Sequence, residues 1–334
     1  MLLLQPENLL IQKTFTKAFA SDYEPVSLDR IITDYDFTAY HISTPKEKTA
    51  ILLSLNIKCW DDLVQHGTLD LLESIYSKYS TFLSILSGDN AEPGYNYSLY
   101  VDLSKVSLKT AEEKSALISK LSLLKRNCFA APFLKTFARY EVLAKEQPAD
   151  PNNIYGEEAR KSSKEPVITL HYRDNESIFI KPSNDRVTVI FSTIFSDETD
   201  KVFSKVFLQE FSDARRRSIQ KAPQVINSHH EIPLEIQSVE KENKDKKKTY
   251  ITFVLFPRHL STEEVKWNTI TQIELFRSYF HYHIKIVKCY LHQRMRFRVQ
   301  SFTKILNRAR RDVSDEELRA ERKTASGRRF EALS

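Results

Sequence analysis

The side chains best suited to chemistry gather in one stretch, HYHIKIVKCYLHQRMRFR, from His281 to Arg298. Its three imidazoles, the thiol of Cys289 and a run of lysines and arginines could hold a metal ion, a nucleic acid or an acidic protein surface. Spacing separates these readings. On a helix, residues two apart point about 200° from each other, so His281 and His283 would not share an ion. A helical metal pair needs i, i+4 spacing, and His292 stands nine residues beyond His283. No metal and no other cofactor is expected.

Other catalytic patterns find little support. The chain has five glycines, whereas loops that cradle phosphate use glycine to bring backbone N–H groups onto the anion. Gly88 and Gly94 are the only pair close enough, and Tyr95 follows where a Walker loop needs lysine. G-x-G-x-x-G and G-x-S-x-G do not occur. HYRD (His171–Asp174) reads as part of a strand, and FPRH (Phe256–His259) as a strand end. An undefined hydrolase would need His171 or His259 beside a carboxylate in a pocket. No catalytic residue is expected, because no His, Asp, Ser or Cys sits at a spacing that a known mechanism requires.

Cys59, Cys128 and Cys289 are far apart and odd in number, and read as reduced core thiols of a cytosolic protein. Met1-Leu2-Leu3-Leu4 is too short for a signal segment, and no apolar run approaches membrane-spanning length. A cytoplasmic or nuclear chain without membrane insertion is expected. Net charge is +6, but Lys285–Ser334 alone holds 14 Lys/Arg and 6 Asp/Glu, a net of +8. The basic character is a C-terminal property and asks for an acidic partner there.

The elements that must position these residues fall into two halves. KEQPADPNNIYGEEARKSSKEP (Lys145–Pro166) is poor in apolar residues and reads as a linker. TAYHIS (Thr38–Ser43) and TAILLSLNI (Thr49–Ile57) form a strand pair in the first half; SIFIKP (Ser177–Pro182) and RVTVIFSTI (Arg186–Ile194) form one in the second. A helical segment follows each pair. Leu69, Leu72, Ile75, Tyr76 and Tyr79 mark the first; Phe203, Val206, Phe207 and Phe211 mark one face of the second. YSLYVDL (Tyr97–Leu103) and YITFVLF (Tyr250–Phe256) are further strands, each leading to a capping box, at Thr110–Glu113 and Ser261–Glu264. Leu9, Leu10, Phe15 and Phe19 suggest an N-terminal helix, and Ser238–Tyr250 a solvated lysine-rich turn. The fold class is α+β: two similar domains, each an antiparallel sheet with helices on it. The expected boundaries are a first domain over 1–145, a linker over 146–166, a second domain over 167–311, and a basic, flexible tail over 312–334.

No proline follows Pro257, and no glycine occurs between it and Gly327. A helix over about 263–310 would run roughly 70 Å, more than twice the span of a small domain. Phe276, Phe280, Ile284, Val287, Leu291, Met295, Val299, Phe302 and Leu306 follow three/four spacing and form one apolar seam. The part beyond its own sheet would leave apolar surface in water, at about 25 cal/mol per Å², unless a partner covers it. Lys285, Lys288, His292, Arg294, Arg296 and Arg298 are read as lying on the other faces, with His281 and His283 at a polar–apolar border. A nucleic-acid-binding protein using this basic helix is the alternative. No recognition motif accompanies the charge, and the aromatics keep to the seam, so nucleic acid is not the expected partner.

LKRNCFA (Leu124–Ala130), HYRD, DRVTVIFSTIF (Asp185–Phe195), KVFLQEF (Lys205–Phe211) and APQVINSHHEIPLE (Ala222–Glu235) occur in this order. YITFVLFPRH (Tyr250–His259), FRSYFHYHIK (Phe276–Lys285), RMR (Arg294–Arg296) and FTKILNRAR (Phe302–Arg310) follow. Together these segments resemble the family of subunit 2 of the actin-related protein 2/3 complex. The resemblance implies two similar α+β domains and a C-terminal helix that pairs with the related subunit 4. It implies a core that holds the two actin-related proteins, contacts the side of the mother actin filament and supports nucleation of a branch. A cytoplasmic place in the actin cytoskeleton, at cortical patches and in endocytosis, goes with it. Arg311 stands where many members of that family have proline. Charge, not motif, selects the candidates for filament contact: Arg294, Arg296, Arg298, Lys304, Arg308, Arg310 and Arg311.

Overall fold

The structure is a computed structural model that describes residues 4–20, 27–45, 48–108, 110–146, 165–229, 231–240 and 248–308. The linker body, the centre of the lysine-rich turn and the tail expected over 312–334 lie outside these residues.

The described residues up to His281 form one compact unit. Its first half holds β1 (Asp29–Asp34), β2 (Thr38–Ser43), β3 (Ala50–Ile57), β4 (Leu83–Ser87) and β5 (Tyr97–Asp102). They form an antiparallel sheet in the order β1-β2-β3-β5-β4. The second half holds β6 (Ile168–Leu170), β7 (Ile178–Pro182), β8 (Val187–Ile194), β9 (Gln224–Ser228) and β10 (Lys248–Leu255). Their order, β6-β7-β8-β10-β9, is the same wiring with every pair antiparallel. The two halves therefore share one topology. Strand β2 buries Thr38, Tyr40 and Ile42 in strict alternation, whereas β8 buries seven consecutive residues and is covered on both faces.

Among the described residues the α-helices are α1 (Leu9–Ala18), α2 (Trp60–Gln65), α3 (Thr68–Tyr76), α4 (Ala111–Ser122), α5 (Leu124–Glu146), α6 (Glu198–Arg217) and α7 (Glu263–Arg308). Helix α1 buries Ile11, Phe15 and Ala18. Leu9 and Leu10, read with Phe15 and Phe19 at helical spacing, are about half exposed, and Asn8 caps the helix by accepting from Leu10 and Ile11 N–H. The capping box at Thr110 forms reciprocally, with Glu113 N donating to Thr110 Oγ1 at 3.2 Å and Thr110 N to Glu113 Oε2 at 3.4 Å. The second box does not form: Thr262 caps the helix alone, accepting from Val265 N, whose side chain cannot return the bond, and Ser261 Oγ turns away to Arg258 O.

Helix α5 is the centre of this unit. Every residue from Asn127 to Phe133 is buried, as in a helix surrounded on all sides. It lies near α3 on one side and β7 and β8 on the other, and so joins the halves. Pro132 removes one helical N–H and orphans the carbonyl of Cys128. The hydroxyl of Thr68, shared with Leu63 O, reaches that carbonyl at 3.1 Å. Cys59 and Cys128 are buried, and burial pushes the Cys59 thiol up to about 12. Cys289 is exposed, contrary to the core placement expected, because it stands on the solvated stretch of α7.

On α6 the expected apolar face divides. Phe207 lies 5.4 Å from Phe280 and Phe211 6.4 Å from Phe276, centroid to centroid, whereas Val206 is 58% exposed. The residues α6 buries are Ser204 and Leu208.

Candidate protein interface on the C-terminal helix

Helix α7 begins in the first unit, rooted by aromatic rings. Phe276 lies 4.5 Å from Phe253 and 5.6 Å from Phe191, and Phe280 lies 6.1 Å from Phe195. Both belong to the chain's own core, so the first two residues of the expected pairing seam are already covered. His281 stacks on Phe195 at 5.2 Å, which is packing rather than ligation. Among the described residues no group of three metal-ligating side chains converges.

The second unit begins at Tyr282, and its described part is α7 up to Arg308. Ile284 is buried, and beyond it the seam opens. Val287, Leu291, Met295, Val299, Phe302 and Leu306 are between 39% and 63% exposed. Ile286, Tyr290, Phe297 and Ile305 are exposed as well. Ile305 stands three residues after Phe302, on the seam side. Ile286, Tyr290 and Phe297 follow i, i+4, i+11 spacing and mark a second apolar row on another face.

Arg298 lies seven residues after Leu291 and four before Phe302, so helical geometry places it within the seam, not on the far side as expected. Lys288, four after Ile284 and seven before Met295, shares that face. Lys285, His292 and Arg296 lie along another. Arg294 donates to Tyr290 OH at 3.3 Å and holds its guanidinium over the same ring. Arg294, Arg296, Arg298, Lys304 and Arg308 are all exposed; Arg310 and Arg311 lie outside the described residues. No Asp or Glu occurs between Glu274 and Asp312, so this stretch has no acidic side chain of its own to neutralise it. Residues 312–334 hold five Lys/Arg and six Asp/Glu, which corrects the expectation of a basic tail: the surplus lies in the helix and its end.

HYRD and FPRH have structural work. HYRD follows β6 instead of lying in a strand, and it clasps the first half. His171 N and its Nδ1 both meet Asp62 Oδ2, at 2.7 and 3.0 Å, Asp174 pairs with Lys58, and the Arg173 guanidinium lies over Phe37. His171 thus does meet a carboxylate, but on an exposed surface and with the same oxygen held by its own backbone. In FPRH, Phe256 N donates to His259 Nδ1 at 2.9 Å and Nε2–H donates to Lys221 O at 2.8 Å. Both ring nitrogens serve backbone groups, and burial lowers the His259 pKa.

The comparisons with known proteins agree on one assignment. The model of the family described as "Arp2/3 complex, 34 kD subunit p34-Arc" matches residues 53–313. A Schizosaccharomyces pombe protein named actin-related protein 2/3 complex subunit 2 is 46% identical over 331 residues, covering 99% of each chain. This chain belongs to the p34-Arc family. A Dictyostelium discoideum relative of the same name is 32% identical over 311 residues, covering 93% of this chain and 94% of its own.

This p34-Arc chain also contains a buried charge network that residue spacing did not reveal. Lys125 of α5 pairs with Glu274 of α7 at 2.8 Å and with Asp36 of the β1–β2 turn at 3.5 Å. Arg277 makes two bonds to Glu176, at 3.0 and 3.1 Å, and Tyr172 OH donates to Glu176 at 3.2 Å. Burial works against the charge on Lys125, but Glu274 and Asp36 outweigh it and lift its pKa above the ordinary value. The partners are distant in sequence, and only the charged residues standing inside apolar helical runs could have signalled them.

Proposed function

We propose that this chain is a non-catalytic structural subunit of an Arp2/3 complex, pairing with subunit 4 through the outer seam of α7 and binding actin through its basic faces. The curated relatives are named as subunits of that complex. In this reading the pair forms the core that holds the two actin-related proteins and the other subunits. It contacts the side of the mother filament and supports branched nucleation. The protein then works in the cytoplasmic actin cytoskeleton, at cortical patches and in endocytosis. Among the described residues no helix is long and apolar enough to cross a membrane.

The observation that carries the proposal is the exposure of Val287, Leu291, Met295, Val299, Phe302 and Leu306 along one helix face. Burying a side chain of this size is worth about 1.5–3 kcal/mol, so a partner helix covering the row gains enough for stable pairing. The test is co-purification of the full chain with subunit 4, followed by co-sedimentation of the pair with actin filaments at low and moderate salt. A stable pair that pellets with filaments, less so as salt rises, is expected. Failure to pair overturns the seam reading. Binding to DNA or RNA with a steep salt dependence, uncompeted by filaments, overturns the actin reading.

A further inference from the structure

We propose that Ser218 is a phosphorylation site for an arginine-directed serine/threonine kinase. Arg215-Arg216-Arg217-Ser218-Ile219 places arginines three and two residues before the serine and an apolar residue after it. R-R-x-S or R-R-x-T occurs nowhere else in the chain. Such kinases read guanidinium groups with carboxylates, whose paired oxygens match the guanidinium fork.

The structure presents this pattern where a kinase can take it. Ser218 is the C-cap of α6, and Arg216, Arg217, Ser218, Ile219 and Gln220 are all exposed. A kinase holds its substrate extended, so the last helical turn must open. Little holds it: Ser218 N and Ile219 N donate to Ala214 O at 2.9 and 3.0 Å, and Ser218 Oγ donates to the same oxygen at 3.2 Å. Arg215 Nε donates to Ala222 O at 3.1 Å, and Arg217 sits 3.7 Å from Asp213. Helix ends open most readily, and α6 buries only Ser204 and Leu208, well before this turn.

In the transfer, Ser218 Oγ forms a bond to the γ-phosphorus of ATP and the bond from that phosphorus to the β–γ bridging oxygen breaks. ADP leaves with the electron pair, and the hydroxyl proton passes to the kinase's aspartate. The product carries about −1.5 to −2 charge at a helix C-terminus and loses the donor that met Ala214 O. The same loop is tied through Lys221 O to His259, in the turn before α7. Phosphorylation therefore acts one hydrogen bond from the root of the long helix.

The assignment does not depend on the proposed function. Its test uses the native full-length chain, magnesium ATP and the catalytic subunit of an arginine-directed kinase, with the phosphate mapped by mass spectrometry. A single phosphate at Ser218 is expected, with incorporation at least tenfold lower in Ser218→Ala. Arg216→Gln should lower the initial rate at least tenfold while leaving the circular dichroism spectrum unchanged. A peptide spanning residues 212–222 serves as the open reference, and the native chain should react within tenfold of its rate. Undiminished labelling of Ser218→Ala, or a native chain slower than that limit, overturns the proposal.

Discussion

Histidine 41 shows how one ring can carry a pH dependence. Its Nδ1 lies 2.8 Å from Glu92 Oε1 and its Nε2 2.9 Å from Asp29 Oδ1. Burial works against the charge, but the two carboxylates outweigh it and raise the pKa above 6.5. The stabilisation is therefore fully present below the unfolded value of 6.5 and is lost as pH rises through the folded one. His41→Ala should cost about 1–2 kcal/mol near pH 6 and less near pH 9, since Asp29 is exposed and screened. Urea unfolding at the two pH values checks this, and an equal loss at both would refute it. His259 has the opposite sign. Its lowered pKa gives stability above about 6.5 that declines as pH falls below it. The destabilisation by His259→Ala should shrink between about pH 7.5 and pH 5 in the same assay.

At the scale of an element, α7 changes from core to exposed surface along its length. Its aromatic root is buried and its outer seam is exposed, so substitutions in the two regions should act differently. Leu291→Asp and Phe302→Asp should leave the isolated chain's melting temperature within about 2 °C, because surface changes seldom move stability much. Each should weaken pairing with subunit 4 at least tenfold in a pull-down titration, because a carboxylate would be buried without a partner. A variant that pairs normally would remove the seam from the interface. Phe276→Ala should instead destabilise the chain itself by about 3–5 kcal/mol, measured by urea unfolding.

At the scale of the first unit, the charge network and the HYRD clasp join the two sheets. Lys125→Met would leave Glu274 buried without its cation and Asp36 with only the Arg173 cation, 3.7 Å away. It should cost about 3–5 kcal/mol by urea unfolding, whereas Lys125→Met with Glu274→Leu should recover much of that loss. If the double variant is no more stable than the single one, the network does not act as a unit.

The sequence by itself determined the two halves, their strand pairs, the length of α7 and its apolar seam, because these rest on local periodicity and on where proline and glycine occur. Strands β1, β4 and β9 were not legible, and β6 was expected too late, at HYRD; these are the edge strands, and each buries at most one residue, so none carries a clear alternation. Rotation was harder to read than position: Leu9 and Leu10 turn outward on α1, and Thr262, not Ser261, caps α7. Only the tertiary structure decided that Phe276 and Phe280 belong to the chain's own core while Leu291 and Phe302 face solvent. Periodicity marks a helix face, but burial depends on what the rest of the chain places against it. The same holds for Lys125, Glu274 and Asp36, whose pairing follows from the meeting of elements far apart in sequence.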